Sequence, residues 1–239
     1  KADEIIQKIN DGKEIFYSNI TVEGILNFSN INRKEIEKDI EFVNCIFKDI
    51  VKSEYITFAN LYFRNCVFRD KLAMLSTEIS CLDFNKSVFN EEVNFNNSKI
   101  NYSCDFIETI FKSLTYFENI HFGYSGYVHF NKSKFNKNVT FLNTIFNGDA
   151  KFIETLFRRN VIFDSCSLGG SDSDNIHFIN VDFLDNASFK YCDFSGNIVF
   201  ADSSFNKAFF TYSIFEEKAI FRNNRFNDVD FTGTEFKGD

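Results

Sequence analysis

From residue 84 onward the large apolar residues recur at steps of five or six, at 84, 89, 95 and 100, then 106, 111, 117 and 122, and so on to 236. Of these 28 positions 26 are Phe, the exceptions being Ile100 and Leu168. A helix would require steps of three and four and a lone strand steps of two, so neither explains the spacing. Two residues before most centres stands a small or β-branched residue, as in Val139-Thr140-Phe141 and Ala150-Lys151-Phe152. Positions i−2 and i of an extended segment face the same way. The residues between them are mostly Asn, Asp, Lys, Glu or Ser. Each unit therefore predicts one short flat side ending in a turn. Such sides bury their Phe only by coiling into a closed tube.

The i−2 residues fall into two classes when the centres are grouped in fours. First and third sides carry mainly Val, Ala or Ile, as at Val93, Val128, Ala150, Val161 and Ala208; second and fourth sides carry mainly Ser, Thr or Cys, as at Ser87, Ser98, Thr109, Thr155 and Cys166. Opposite sides being alike demands an even number of sides, which a four-sided coil satisfies. Upstream, Phe42, Phe47, Phe58, Phe63, Phe68 and Ile79 fit two looser coils. That gives about nine coils and a tube of roughly 40 to 45 Å.

The units Cys104-Asp105-Phe106-Ile107-Glu108, Cys192-Asp193-Phe194-Ser195-Gly196 and Val229-Asp230-Phe231-Thr232-Gly233 resemble the motif of the pentapeptide-repeat family: a small residue, Asp or Asn, Leu or Phe, then two variable residues. The resemblance spans residues 42 to 236 and implies an all-β fold, a right-handed quadrilateral β-helix. Two departures stand out: Phe replaces the commoner Leu, and six-residue steps add a residue at some corners. The expected organisation is an N-terminal cap over 1–41 and a solenoid over 42–239. Within the cap, residues 2–11 read as a short helix with Asp3 as N-cap, Gly12 as its stop and Ile5, Ile6 and Ile9 as the face that covers the first coil. The charged segment from Asn32 to Asp39 reads as a loop or a helical turn.

Composition adds bounds. Pro is absent and Gly numbers ten, which leaves no punctuation for a second domain. The net charge of −8 argues against direct binding of nucleic acid. Acids and bases are evenly mixed, with 14 basic and 19 acidic side chains up to residue 120 and 12 and 15 after it. No apolar run approaches the roughly 18 residues of a membrane span, so the reading is a soluble, cytoplasmic protein with no membrane partner. A chain beginning at Lys1 is equally compatible with a removed leader.

Two interruptions exceed the normal step. Gly123-Tyr124-Ser125-Gly126-Tyr127 lies between centres 122 and 130; Gly169, Gly170, Asp172 and Asp174 lie between 168 and 178. Both fall between a fourth side and the next first side, so both should project from one corner, about two coils apart, as candidate interaction loops. Five cysteines (Cys45, Cys66, Cys104, Cys166 and Cys192) occupy i−2 and read as buried free thiols. His121, His129 and His177 occupy i−1 and read as solvent-exposed. The acidic loop lacks the order of a calcium-binding hand, and no zinc spacing or nucleophile motif is present. No metal, no cofactor and no enzymatic activity are expected.

What remains is a non-enzymatic structural or protein-interaction solenoid with an unknown protein partner. The family resemblance implies an alternative, a DNA-mimicking binder of type II topoisomerase that inhibits gyrase or protects it from quinolones. It also implies that an open C-terminal coil can pair with a second copy as a homodimer.

Overall fold

The computed structural model describes residues 1–170 and 174–238, with residues 124 and 125 described as backbone only. Its strands form a four-sided parallel β-solenoid. The first side can be followed by register alone from Ile15 to Ile40 and Leu61, then through Leu82, Cys104, Val128, Ala150, Ile176 and Ile198 to Ala219. These ten rungs make ten coils where the Phe spacing predicts about nine. The additional coil occupies Ile15 to Ile36, within the segment read as the cap. Its centres are Tyr17, Val22, Phe28 and Ile36, spaced irregularly and with a single Phe. The charged stretch read as a loop contains an in-register strand, Glu35–Ile36, paired with Thr57 and Phe58.

Two kinds of corner alternate around each coil. Eighteen non-glycine residues have positive φ, ten on the corner from first to second side (Asn44, Asn65, Lys86 and Glu108 among them) and eight on the corner from third to fourth (Asn97, Asn119, Asn143 and Tyr191 among them). Each sits two residues after a centre and turns the chain in the left-handed region that Asn tolerates best. From Phe42 onward the step across these corners is always five residues. At the other two corners strands run through the bend, as in Thr57–Arg64 and Ser204–Phe209, and from Phe42 onward every longer step falls there. Each continuous sheet thus wraps two sides.

The left-handed corners also explain the two classes of i−2 residue. Where a second or fourth side starts with a buried Ser, Thr or Cys, that side chain, Thr77 excepted, donates to the carbonyl of the centre just before the same corner one coil earlier. Thr109 Oγ1 reaches Phe84 O at 2.9 Å, Thr155 Oγ1 reaches Phe130 O at 2.8 Å and Cys192 Sγ reaches Phe163 O at 2.9 Å. Each of these carbonyls also accepts the backbone N–H three residues on, Ser87 N for Phe84 O, Ser133 N for Phe130 O and Cys166 N for Phe163 O, so the side chain adds a second donor at the turn. First and third sides begin after strand-like corners, where the sheet ladder supplies the bonds, and take Val, Ala or Ile.

The core is a set of Phe columns. Along a column the rings stack face to face, Phe130 on Phe152 at 5.0 Å and Phe152 on Phe178 at 4.7 Å between centroids. Across the tube, between opposite sides, they meet edge to face, Phe141 and Phe152 at 88°. Both arrangements suit the ring quadrupole. The column on the third side is broken at Ser53, which is buried with an unpartnered hydroxyl.

The helix Ala2–Asn10 buries Ala2, Ile5, Ile6 and Ile9 against the first coil, as its pattern requires. Its N-cap is Lys1 rather than Asp3, which lies in the first turn, where its charge suits the helix dipole. At the opposite end the last coil leaves Phe231 37% and Phe236 54% exposed. Among the described residues no helix is long and apolar enough to cross a membrane.

Candidate interaction corner

The corner joining each fourth side to the next first side departs most from regularity. Seven of the ten glycines (Gly123, Gly126, Gly148, Gly169, Gly170, Gly196 and Gly238) lie along it. Close approach of successive backbones requires them. A Cβ on Gly126 would fall 1.7 Å from Tyr102 O, one on Gly148 2.4 Å from Gly126 O, and one on Gly169 2.5 Å from Gly196 N.

Both sequence interruptions lie on this corner and are separated by one intervening coil, as the spacing predicts. The first does not project as a loop. Residues 121–129 form one strand, His121–His129, paired with Ile145–Lys151, and the added residues are absorbed as a bulge between Phe122 and Gly126. Gly123 takes φ +63° to make that bulge. Tyr127 emerges from it 38% exposed, and its ring lies flat on His129 at 4.3 Å. Nothing is described for the side chains of Tyr124 and Ser125. In the second interruption Gly169 and Gly170 enter the corner and Asp174 leaves it, with the Gly170 N–H donating to Asp174 Oδ2 at 2.7 Å. Asp172 lies outside the described residues.

All three histidines gather here, and they are not fully exposed. His129 Nδ1 lies 3.0 Å from Asp105 Oδ1, and the Tyr127 hydroxyl donates to the other oxygen of the same carboxylate at 3.4 Å. Asp105 is one coil away in the same outward column, a neighbour hidden in the sequence by a separation of 24 residues. His177 follows in that column beyond Lys151. Burial, reinforced by Lys151, holds the His177 imidazolium below its usual range. Burial and then Lys99 do the same at His121, whose Nε2 lies 2.7 Å from Asn147 Nδ2.

The same column carries a network that sequence reasoning missed. Arg64 bonds Asp83 Oδ2 through Nε at 2.5 Å and Glu41 Oε1 through a terminal nitrogen at 2.7 Å, and lies over the Tyr62 ring at 4.5 Å. The hydrogen bond to Asp83 raises the guanidinium pKa. Only a known coil length reveals that residues 41, 62 and 83 share a column.

The five i−2 cysteines are buried, Cys81 is half-buried, and all six are free thiols. Among the described residues no group of three or more His, Cys, Asp or Glu side chains is placed to hold a metal ion. The corner presents exposed Tyr102 and Tyr127, a carboxylate–imidazole pair and glycine backbone. Compared with known proteins, the chain matches no family model, no curated protein and no solved structure.

Proposed function

We propose that the chain is a pentapeptide-repeat rod that acts without catalysis, as an interaction scaffold whose glycine corner receives a protein partner. The observation that carries this reading is the concentration at one corner of both insertions, the bulge and the exposed rings of Tyr102 and Tyr127. A photo-crosslinking residue at Tyr102 or Tyr127 should capture the partner in cells, while the same residue at Thr140 on the third side should not. Equal capture at all three positions, or none at the corner, would remove the reading. The exposed rings of Phe231 and Phe236 extend the proposal to pairing of two copies through the last coil. Sedimentation of the chain with Phe236→Glu tests that part separately.

One observation favours the DNA-mimic alternative. The outward positions flanking the fourth-side centres carry six acids (Glu35, Glu37, Glu78, Asp193, Glu216 and Glu235) against Lys99 and Lys237. Its weakness is their placement, since the fourth to seventh coils contribute none of those acids and a mimic needs a continuous negative face. A gyrase supercoiling assay with and without a quinolone decides between the two: inhibition or protection would put the mimic first.

A further inference from the structure

The second side has the opposite character. Its centres stay in register from Phe47 through Phe68, Phe89, Phe111 and Phe135 to Phe157. The residue following each centre points outward, and the backbone N–H of Arg69, Asn90, Lys112, Asn136 and Arg158 each bonds the previous coil, so this outward column is as regular as the core. Arg69, Lys112 and Arg158 therefore stand on every second coil with asparagines between them. All three are exposed, and among the described residues none has an ion-pair partner. Lys48, which follows Phe47 in this same column, is paired with Glu23 at 2.6 Å, and Lys237 on the fourth side is paired with Glu216 at 2.9 Å. On the other flank of the same centres a half-buried apolar stripe, Ile46, Val67, Val88 and Ile110, is followed by exposed Lys134 and then half-buried Leu156.

Two coils advance about 9.6 Å along the rod. A polyproline II segment has three residues per turn and advances about 9.3 Å per turn, so every third side chain lies on one face. The two periods agree closely enough to stay in phase over the three cations. A peptide with a carboxylate at every third position would set one acid against each of Arg69, Lys112 and Arg158. The same register lays its intervening apolar side chains along the valine and isoleucine stripe. A preformed extended helix loses little entropy on docking to a rigid flat face.

We propose that the second side of the rod is a docking face for an extended acidic peptide segment of a protein partner, with acids repeating every third residue. The proposal rests on the interaction-scaffold reading and goes beyond it, adding a second contact face distinct from the glycine corner.

The test uses the full chain and two fluorescently labelled peptides of identical composition, one repeating Glu-Pro-Pro and one with the same glutamates gathered in a block. Fluorescence anisotropy should show the periodic peptide binding at least about tenfold tighter, with affinity falling as salt screens the charges. Arg69→Gln, Lys112→Gln and Arg158→Gln combined should abolish that difference while leaving the thermal midpoint unchanged, because all three side chains are exposed. The proposal is overturned if the block peptide binds equally well, if neither binds, if the triple variant behaves as the parent, or if a single-stranded oligonucleotide of equal charge binds as tightly as the periodic peptide. Crosslinking at the corner is independent of these three cations, so its success alongside failure here would leave the scaffold standing and remove only the acidic-peptide partner.

Discussion

The ring of Phe141 lies on that of Phe163 with centroids 4.5 Å apart and planes 4° from parallel, and the same column continues below it to Phe117 at 5.0 Å. The ring is thus covered on both faces by its column and met edge to face by Phe130 and Phe152 of the opposite side. Phe141→Ala should cost about 3 to 5 kcal/mol, because stacked rungs held by their hydrogen bonds cannot collapse into the space. Chemical denaturation measures this. A cost below about 1 kcal/mol would mean that the columns are loosely packed.

Thr155 isolates the contribution of the corner hydroxyls. Val has nearly the shape of Thr, so Thr155→Val keeps the packing but leaves Phe130 O without its side-chain donor at a fully buried position. Phe130 O keeps the Ser133 N–H, so a loss of about 0.5 to 1.5 kcal/mol is expected. Ser53→Ala should move the other way or not at all, since the Ser53 hydroxyl is buried and unpartnered. Comparing the two variants in one denaturation series separates hydrogen bonding from general sensitivity of i−2 and centre positions.

How far the sequence reveals this architecture depends on which force sets each feature. The Phe columns are legible because burial imposes one residue type at one spacing. Coil number is less so, since Tyr17, Val22 and Ile36 fill centres of the first coil without marking them as repeats. Of the candidate corner, position was readable and form was not. Glycine at 123 and 126 signals a departure from regular strand but does not distinguish a projecting loop from a bulge. The pairing of Asp105 with His129 depends on a register that exists only after the coil length is known. Left-handed corners at Glu154 or Tyr191 carry no propensity signal either, because the hydrogen-bonded ladder imposes that geometry on whatever residue falls there.

Gly126 and Gly12 provide a contrast in why glycine is needed. A Cβ at Gly126 meets the Tyr102 backbone, whereas one at Gly12 meets nothing within 4 Å and the cost there is only that of φ +66°. Gly12→Ala should therefore lose about 1 to 2 kcal/mol. Gly126→Ala should lose at least about 3 kcal/mol or force the bulge to reorganise, since backbone on both sides cannot yield cheaply. Thermal melts of the two variants give the comparison, and equal losses would contradict the close approach at the corner.

Burial pushes the Cys66 thiol up to about 12. It raises Cys104 and Cys166 well above the usual thiol range in the same way. A thiol near 8.5 when unfolded and higher when folded favours the folded state fully below about pH 8.5 and progressively less as pH climbs toward the folded value. The denaturation midpoint should therefore fall between about pH 9 and 12. Cys66→Ser, which places a hydroxyl in a slot that other coils fill with Ser, should flatten that fall. Alkylation at pH 8 should label half-buried Cys81 first. A midpoint independent of alkaline pH, or rapid labelling of Cys66, would contradict the packing of the i−2 column.

The division of labour between corners has a consequence for what the rod can carry. Five-residue left-handed corners act as a ruler, resetting the phase of the chain twice per coil. The run-through corners absorb differences in length: Phe122 still faces Phe146 and Val128 still faces Ala150 although the chain between the first pair and the second is two residues longer on one strand. Sequence added at such a corner leaves every rung above it in register. A foreign segment grafted between Gly169 and Asp174 would be displayed at a fixed height on the rod, and several grafts at the same corner would be spaced by whole coils.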